Sequence, residues 1–431
     1  MTRPILLAAP ALMLFSCIAG AQTPDSLRLE SLQSVAVRGD PRQAQRELLA
    51  SQSALRLESL RSERLPILSV DAFGQYQSDV AQIPIILPSG QRPPSPPHDT
   101  YDARLSAEQR IFDPTLGTRR ALERAQLAES QARVNNALYS LRQNVNDAYF
   151  AALRAQLRIA EIQTSLTDLE AQLDVTSARE RERAALPSEA NALRAEILRR
   201  RQMIAELEAT RRASLVILSD LTGRHLDTTV ALAVPEVPAT PAMSFDSLVR
   251  RRPEYETFAR SRAVVEAQRA TRRAQDRPRV SAFARTGYGK PGLNPLANTF
   301  DAYWLGGIQL RWSPWTWGST DRDREALELQ GRIISTEESA FTNALRRQVA
   351  HDVADADRLR ASLASDDAII ALRENILAET RVRFREHVIT SAEYVDKQTD
   401  VLAARIAKAS HRVELAATVA RYLTTIGAEV R

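Results

Sequence analysis

The sequence predicts a mainly α protein with a small transmembrane β part, built as two repeats of one unit. Three observations predict it. Gly and Pro are spread very unevenly along the 431 residues, leaving long uninterrupted stretches of helix formers. Four short segments alternate apolar and polar residues instead. The same signals then return, in the same order, in the second half of the chain.

Taken in order, the chain opens with Arg3, an apolar run from Ile5 to Ile18, and Ala19-Gly20-Ala21 before Gln22. A charged start, an apolar middle and a small-x-small end predict a secretory signal peptide over 1–21, cleaved after Ala21. A rival reading places a lipid on Cys17, although Phe15 stands where a small residue is usual. After this segment no run approaches the roughly 18–20 apolar residues of a membrane helix.

The first repeat is expected over 22–227. Pro41, after Asp40, sits at a first helical position, and Pro66 precedes a strand. Strands are expected at about 67–77, through Leu68, Val70, Ala72 and Tyr76, and at about 101–111. In the second, Tyr101, Ala103, Leu105, Ala107, Gln109 and Ile111 face one way, and Asp102, Arg104, Ser106, Glu108 and Arg110 the other. Residues 118–186 then contain neither Gly nor Pro, enough for a helix of about 100 Å. Apolar residues recur along it at three-to-four spacing, among them Leu138, Leu141, Val145, Leu166, Leu169 and Leu173, as in the seam of a coiled coil. Pro187-Ser188 interrupts the run with Ser188 as N-cap, so 118–222 reads as a helical hairpin turning near 184–188.

A linker over 228–246, with Pro235, Pro238 and Pro241, separates the halves, and the second repeat, 247–427, restates the first. Arg252-Pro253 opens a helix, and strands are expected at about 279–288 and 300–312. Val280, Ala282, Ala284 and Tyr288 share the apolar face of the former; Ala302, Trp304, Gly306, Ile308, Leu310 and Trp312 share that of the latter. A hairpin over 319–426 turns near 387–391, where Thr390-Ser391-Ala392-Glu393 reads as a capping box. A tail, 428–431, ends the chain. Pro41 and Pro66 return as Pro253 and Pro278 at an offset of 212, and Ser188 aligns with Ser391 at an offset of 203.

Composition narrows the function. A single Cys excludes a disulfide framework and a Cys-based zinc site, and the five His have no ligand spacing. The 58 cations and 53 anions are mixed along the chain instead of gathered in a patch, so no nucleic acid partner is expected. Asp352, Asp355 and Asp357 beside His351, and Asp366-Asp367, read as solvated helix faces. No catalytic motif stands out, so neither an enzyme nor a cofactor is expected.

The apolar strand faces need cover. An export signal, charged opposite faces, and Tyr101, Tyr303, Trp304, Trp312, Trp315 and Trp317 at strand ends point to the membrane-interface aromatics of an outer-membrane barrel. Four strands cannot close such a barrel, and open edges are not tolerated in lipid. Three copies in a symmetric ring would supply twelve.

With these residues in place, the chain resembles the TolC family of outer-membrane efflux proteins. The likeness rests on the two-fold repeat, Leu65-Pro66 opening a strand, Phe112 to Gly117 and Trp312 to Gly318 leading into long helices, and the closing Leu221-Thr222-Gly223. It implies a homotrimer in which a twelve-stranded β-barrel, four strands per chain, sits in outer-membrane lipid. A long α-helical coiled-coil barrel would continue it through the periplasm. The function implied is that of an exit duct in a tripartite pump or type I secretion system. Its implied partners are a periplasmic adaptor (membrane fusion) protein and an inner-membrane transporter of ABC or RND type. The family's turn motif maps onto Ala185-Leu186-Pro187-Ser188 and Val388-Ile389-Thr390-Ser391, the expected adaptor-docking tips, with Ala185 and Val388 where Gly is usual. Two acidic residues three apart after the second tip, Glu393 and Asp396, map onto the periplasmic aperture; alternatively Glu393 only completes the capping box. Their first-half partners at the same offset, Ala190 and Leu193, are not acidic. The competing readings are a periplasmic adaptor, with one hairpin and a β-rich remainder, and a soluble coiled-coil scaffold.

Overall fold

Helices of about 100 Å set the scale of the molecule, because long tracts of Ala, Leu, Arg and Glu run without a breaker. A computed structural model describes residues 27–81, 90, 94–236 and 251–428. The expected signal segment with Cys17, linker residues 237–246 and tail residues 429–431 lie outside the described residues. Within them the first half runs α1 (Leu29–Gly39), α2 (Arg42–Ser62), β1 (Ile67–Tyr76), β2 (Asp99–Phe112), α3 (Thr115–Arg181) and α4 (Pro187–Thr222). The second half runs α5 (Pro253–Gln275), β3 (Arg279–Lys290), β4 (Asp301–Arg311), α6 (Ser319–Arg385) and α7 (Ser391–Thr425).

The repeat is visible in the lengths. α3 and α6 are 67 residues each, and α4 and α7 are 36 and 35. Each long helix folds back through a tight turn onto its shorter partner, so α3 packs on α4 and α6 on α7. α3 also meets α1, α2, α5 and α7, which makes it the axis around which both halves assemble.

The main core lies where α1, the middle of α3, and the distal parts of α4 and α7 converge. Leu29, Leu32, Tyr149, Leu153, Leu218 and Val413 are all buried there. The Tyr149 hydroxyl donates to the Leu27 carbonyl at 2.9 Å, and burial pushes its pKa up. Val230, Leu232 and Val234, expected within the linker, pack in this core. Leu232 is buried and bridges to Leu27, and Gln156 holds both its N–H and its carbonyl at 3.0 Å. The physical reason is that Val230, Leu232 and Val234 give this stretch an apolar side that Pro235 alone did not disclose.

Two carboxylates expected in solvent are buried in the α6–α7 seam. Asp352 accepts from Arg421 Nε at 2.8 Å and from Gln348 Nε2 at 2.9 Å, and Asp366 is bonded to His411 Nδ1 at 2.7 Å. Leu345, Asp352, Leu359 and Asp366 stand seven apart, on one buried stripe of α6. Asp367, one residue on, is exposed and pairs with Lys408.

Candidate functional site

Two regions carry the surfaces of interest: the sheet at one end of the helices and the two turns at the other. The sheet is antiparallel in the order β1-β2-β3-β4, with both outer edges unpaired in the chain. Its register puts Val70 opposite Leu105, Leu105 opposite Thr286 and Thr286 opposite Trp304, one row of a single face. Leu68, Ala107, Ala284 and Gly306 form the next row, and Gln109, Ala282 and Ile308 lie beyond it. The opposite face carries Asp71 against Arg104, Arg110 against Ser281, and Arg279 against Arg311. A period of two thus sorts apolar from charged residues across all four strands. Val70 and Trp304 are each 79% exposed and Ile308 73%, far more apolar surface than a finished soluble sheet leaves uncovered.

The dimensions fit a bilayer. Ten residues at about 3.3 Å each, tilted by about 40°, rise roughly 25 Å, the height of a lipid-facing band. At the loop end Phe300 stacks on Tyr101 at 6.1 Å and on Tyr288 at 5.6 Å. At the helix end Trp312, Trp315 and Trp317 are all exposed, with Trp312 Nε1 donating to the Asp276 carbonyl at 3.0 Å. Trp304 and Tyr101 lie on the apolar face as expected. Tyr303 does not. It belongs to the charged face, its hydroxyl donates to Asp102 at 2.6 Å, and its ring lies over Gly287, where a Cβ would come within 2.7 Å. Position parity, not residue type, decides the face.

Where sheet meets helix, Glu63 accepts from Arg110 at 2.5 Å and from Arg119 at 2.6 Å. The Arg119 hydrogen bond holds its carboxyl below the usual glutamate range against the opposing effect of burial, with Arg110 adding to the shift.

The two helical turns share one geometry. Arg183 and His387 take left-handed conformations at φ 60° and 61°. After them the Ala184 N–H donates to the Arg179 carbonyl at 2.8 Å, and the Val388 N–H to the Arg383 carbonyl at 2.9 Å. The equivalent residues are 204 apart, not 203. Ala184 therefore matches Val388, Leu186 matches Thr390, and Pro187 matches Ser391. α4 begins at Pro187 with Leu186 as N-cap, so Ser188 is inside the helix; the Pro ring pre-sets the first helical φ and takes the starting position. α7 is capped by Thr390, whose hydroxyl accepts from the Glu393 N–H at 3.3 Å. Leu186 is 65% exposed and Val388 61%, while Ala185 and Ile389 are half-buried and Ser391 is buried. Pro187, Ser188 and Thr390 are exposed.

The corrected offset changes the acidic partners. Glu393 now matches Glu189, and Asp396 matches Ala192. Ala190 and Leu193, both buried, match Tyr394 and Lys397. Glu393 and Asp396 are exposed on α7, but Lys397 Nζ lies 2.8 Å from Asp396 and 3.8 Å from Asp400, so the stripe is partly neutralised.

Behind the turns sits a polar knot that sequence reasoning missed. Asp168 of α3 accepts from Arg381 of α6 at 2.6 Å, and from Tyr394 and Gln398 of α7 at 3.0 and 2.9 Å. Burial pushes the Tyr394 pKa up, and the Asp168 charge adds to it. Phe384 stacks on Tyr394 at 5.3 Å beside Leu169, Leu193 and Ile197. A cavity of about 310 Å³ opens next to the knot between α3, α6 and α7. The four-residue spacing of Tyr394 and Gln398 is the one trace of this cluster in the sequence.

No family model and no curated protein matches the sequence. Solved structures do. CusC, described as forming a transmembrane channel, is similar at a TM-score of 0.72 and 15% identity over 99% of both chains. The open-state MtrE outer membrane channel of Neisseria gonorrhoeae is similar at 0.68 and 19% identity, over 94% of this chain and 90% of that one. A membrane protein from Pseudomonas aeruginosa gives 0.70 and 17%, over 93% and 90%. The chain has the TolC-like channel fold. In this chain the sheet and the two helical turns lie at opposite ends of the long helices. Among the described residues no helix is long and apolar enough to cross a membrane, and no group of three or more potential metal ligands is gathered.

Proposed function

We propose that the protein is a homotrimeric exit duct of the bacterial outer membrane, conducting solutes passively from a periplasmic assembly to the exterior. The observation that carries this reading is the sheet: four strands with one apolar face, one charged face and two open edges, on helices of about 100 Å. In lipid each open edge needs a partner strand, and four strands are too few to close β1 onto β4 within one chain, so the free edges would pair between copies. Three copies give a twelve-stranded barrel with Trp304 and Val70 towards lipid and Arg104 towards the lumen. The hairpins would continue the wall as a tunnel through the periplasm. Exposed Leu186 and Val388 at the turns suit docking of a periplasmic adaptor, behind which an ABC or RND transporter supplies the energy. Glu393 and Asp396 would lie at the narrow mouth, joined by Glu189. Support also comes from solved outer-membrane channels that share the fold.

Planar-bilayer recording of the full-length, detergent-extracted protein tests the reading. Discrete conductance steps are expected, with cations favoured. Vesicles and bilayers that stay electrically silent at high protein would overturn it.

A further inference from the structure

We propose that the foot of the sheet carries an oxyanion-binding station built on Arg279 and Arg311, which takes phosphate or carboxylate groups. Its place on the lumen wall rests on the duct reading; the chemistry of the site does not.

β3 and β4 pair so that Arg279 stands directly opposite Arg311 on the charged face. Directly opposed side chains of an antiparallel pair have Cβ atoms about 4.5–5.5 Å apart, and like charges there are destabilising. The neighbouring arginines are neutralised. Arg110 and Arg119 share Glu63, and Asp113 lies 3.7 and 3.8 Å from them. Neither Arg279 nor Arg311 has a carboxylate at ion-pair distance among the described residues. Glu108 and Asp113 both line the same space, and the Asp113 charge acts on Arg279 from beyond ion-pair distance, leaving Arg311 the less compensated of the two.

The space is a cavity of about 500 Å³ bounded by all four arginines, with Ser281, Gln309 and Thr115 adding neutral hydrogen-bonding groups. Two guanidinium forks side by side match the oxygens of a phosphate or carboxylate bidentately, and a bound anion offsets their mutual repulsion. The cavity is large enough for a small organic phosphate or polycarboxylate rather than a lone halide. In a trimer three such pairs would ring the passage where barrel meets tunnel. An anionic cargo leaving the tunnel would meet a cationic belt there.

The test is calorimetric titration of the full-length, detergent-extracted protein with inorganic pyrophosphate, with bilayer recordings run beside it. Wild type should bind pyrophosphate, more weakly as salt is raised, and R279Q/R311Q should bind it roughly tenfold more weakly or worse. R279K/R311K keeps the charge and loses the fork, so its affinity should fall between the two. If the double Gln variant does not fold, R311Q alone, at the last residue of β4, is judged by the same criterion. No pyrophosphate binding by wild type, or equal binding by the Gln variants, overturns the station. A protein that conducts but binds no pyrophosphate defeats the station alone. One that binds it in an Arg279- and Arg311-dependent way yet never conducts keeps the station and defeats the duct.

Discussion

Replacing Asp168 with Ala should loosen the second hairpin from the first. Asp168 is an acceptor shared by Arg381, Tyr394 and Gln398, and so ties α3 to both α6 and α7. Tyr394 is buried, and stranding its hydroxyl costs about 1–3 kcal/mol. The Asp168–Arg381 pair is about a third exposed on both sides, which limits its share to under about 1 kcal/mol. Together the loss is about 1–4 kcal/mol, enough to raise local opening by at least about fivefold and by up to several hundred-fold. Hydrogen exchange on the full-length protein reads this directly. Amides in the first turns of α7 should exchange faster in D168A, while those around Tyr149 in the main core stay unchanged. D168N, which keeps one acceptor oxygen and loses the charge, should fall between. Equal exchange of α7 in D168A and wild type would refute the reasoning that the knot holds the hairpin.

The other predictions concern the remaining surfaces. Neutralising Glu393 and Asp396 together should lower cation selectivity in single-channel recordings, and K397Q, which frees Asp396 from its partner, should raise it; unchanged selectivity in both would remove them from the mouth. Charged replacements at Leu186 and Val388 should abolish export while leaving membrane insertion intact, because both side chains are exposed and hold no core together; export by the double variant would end the docking assignment. E63Q should destabilise the junction by about 1 kcal/mol at neutral pH, measured by thermal unfolding. The Glu63 pKa is depressed in the folded protein, so its contribution is present above the unfolded value and fades as pH falls below about 4, where mutant and wild type should converge.

Much of the architecture was legible because two periods are written plainly in the residues. Absence of Gly and Pro over 118–186 and 332–426 marks the long helices, and alternation in β2 and β4 marks both faces of the sheet. What failed was local. Aligning Ser188 with Ser391 shifted the second tip by one residue, since Pro187, not Ser188, occupies the first helical position. That slip hid Glu189 as the partner of Glu393. Tyr303 has the residue type of an interface aromatic, but its odd position places it with Asp301 and Arg311. The charge of Asp352 and Asp366 points to solvent, whereas their heptad spacing with Leu345 and Leu359 places them on the buried stripe. Asp168 is a different case. Its partners come from helices more than 200 residues away, and nothing local says which face of α3 they will meet.

The central claim is that one chain supplies a third of a closed ring. Native mass spectrometry of the detergent-extracted, full-length protein tests it most directly. The account predicts a complex of three chains, stable enough to keep its detergent belt through gentle activation. A monomer that needs no detergent would contradict it, and the apolar rows from Val70 to Trp304 would then require cover from some other source.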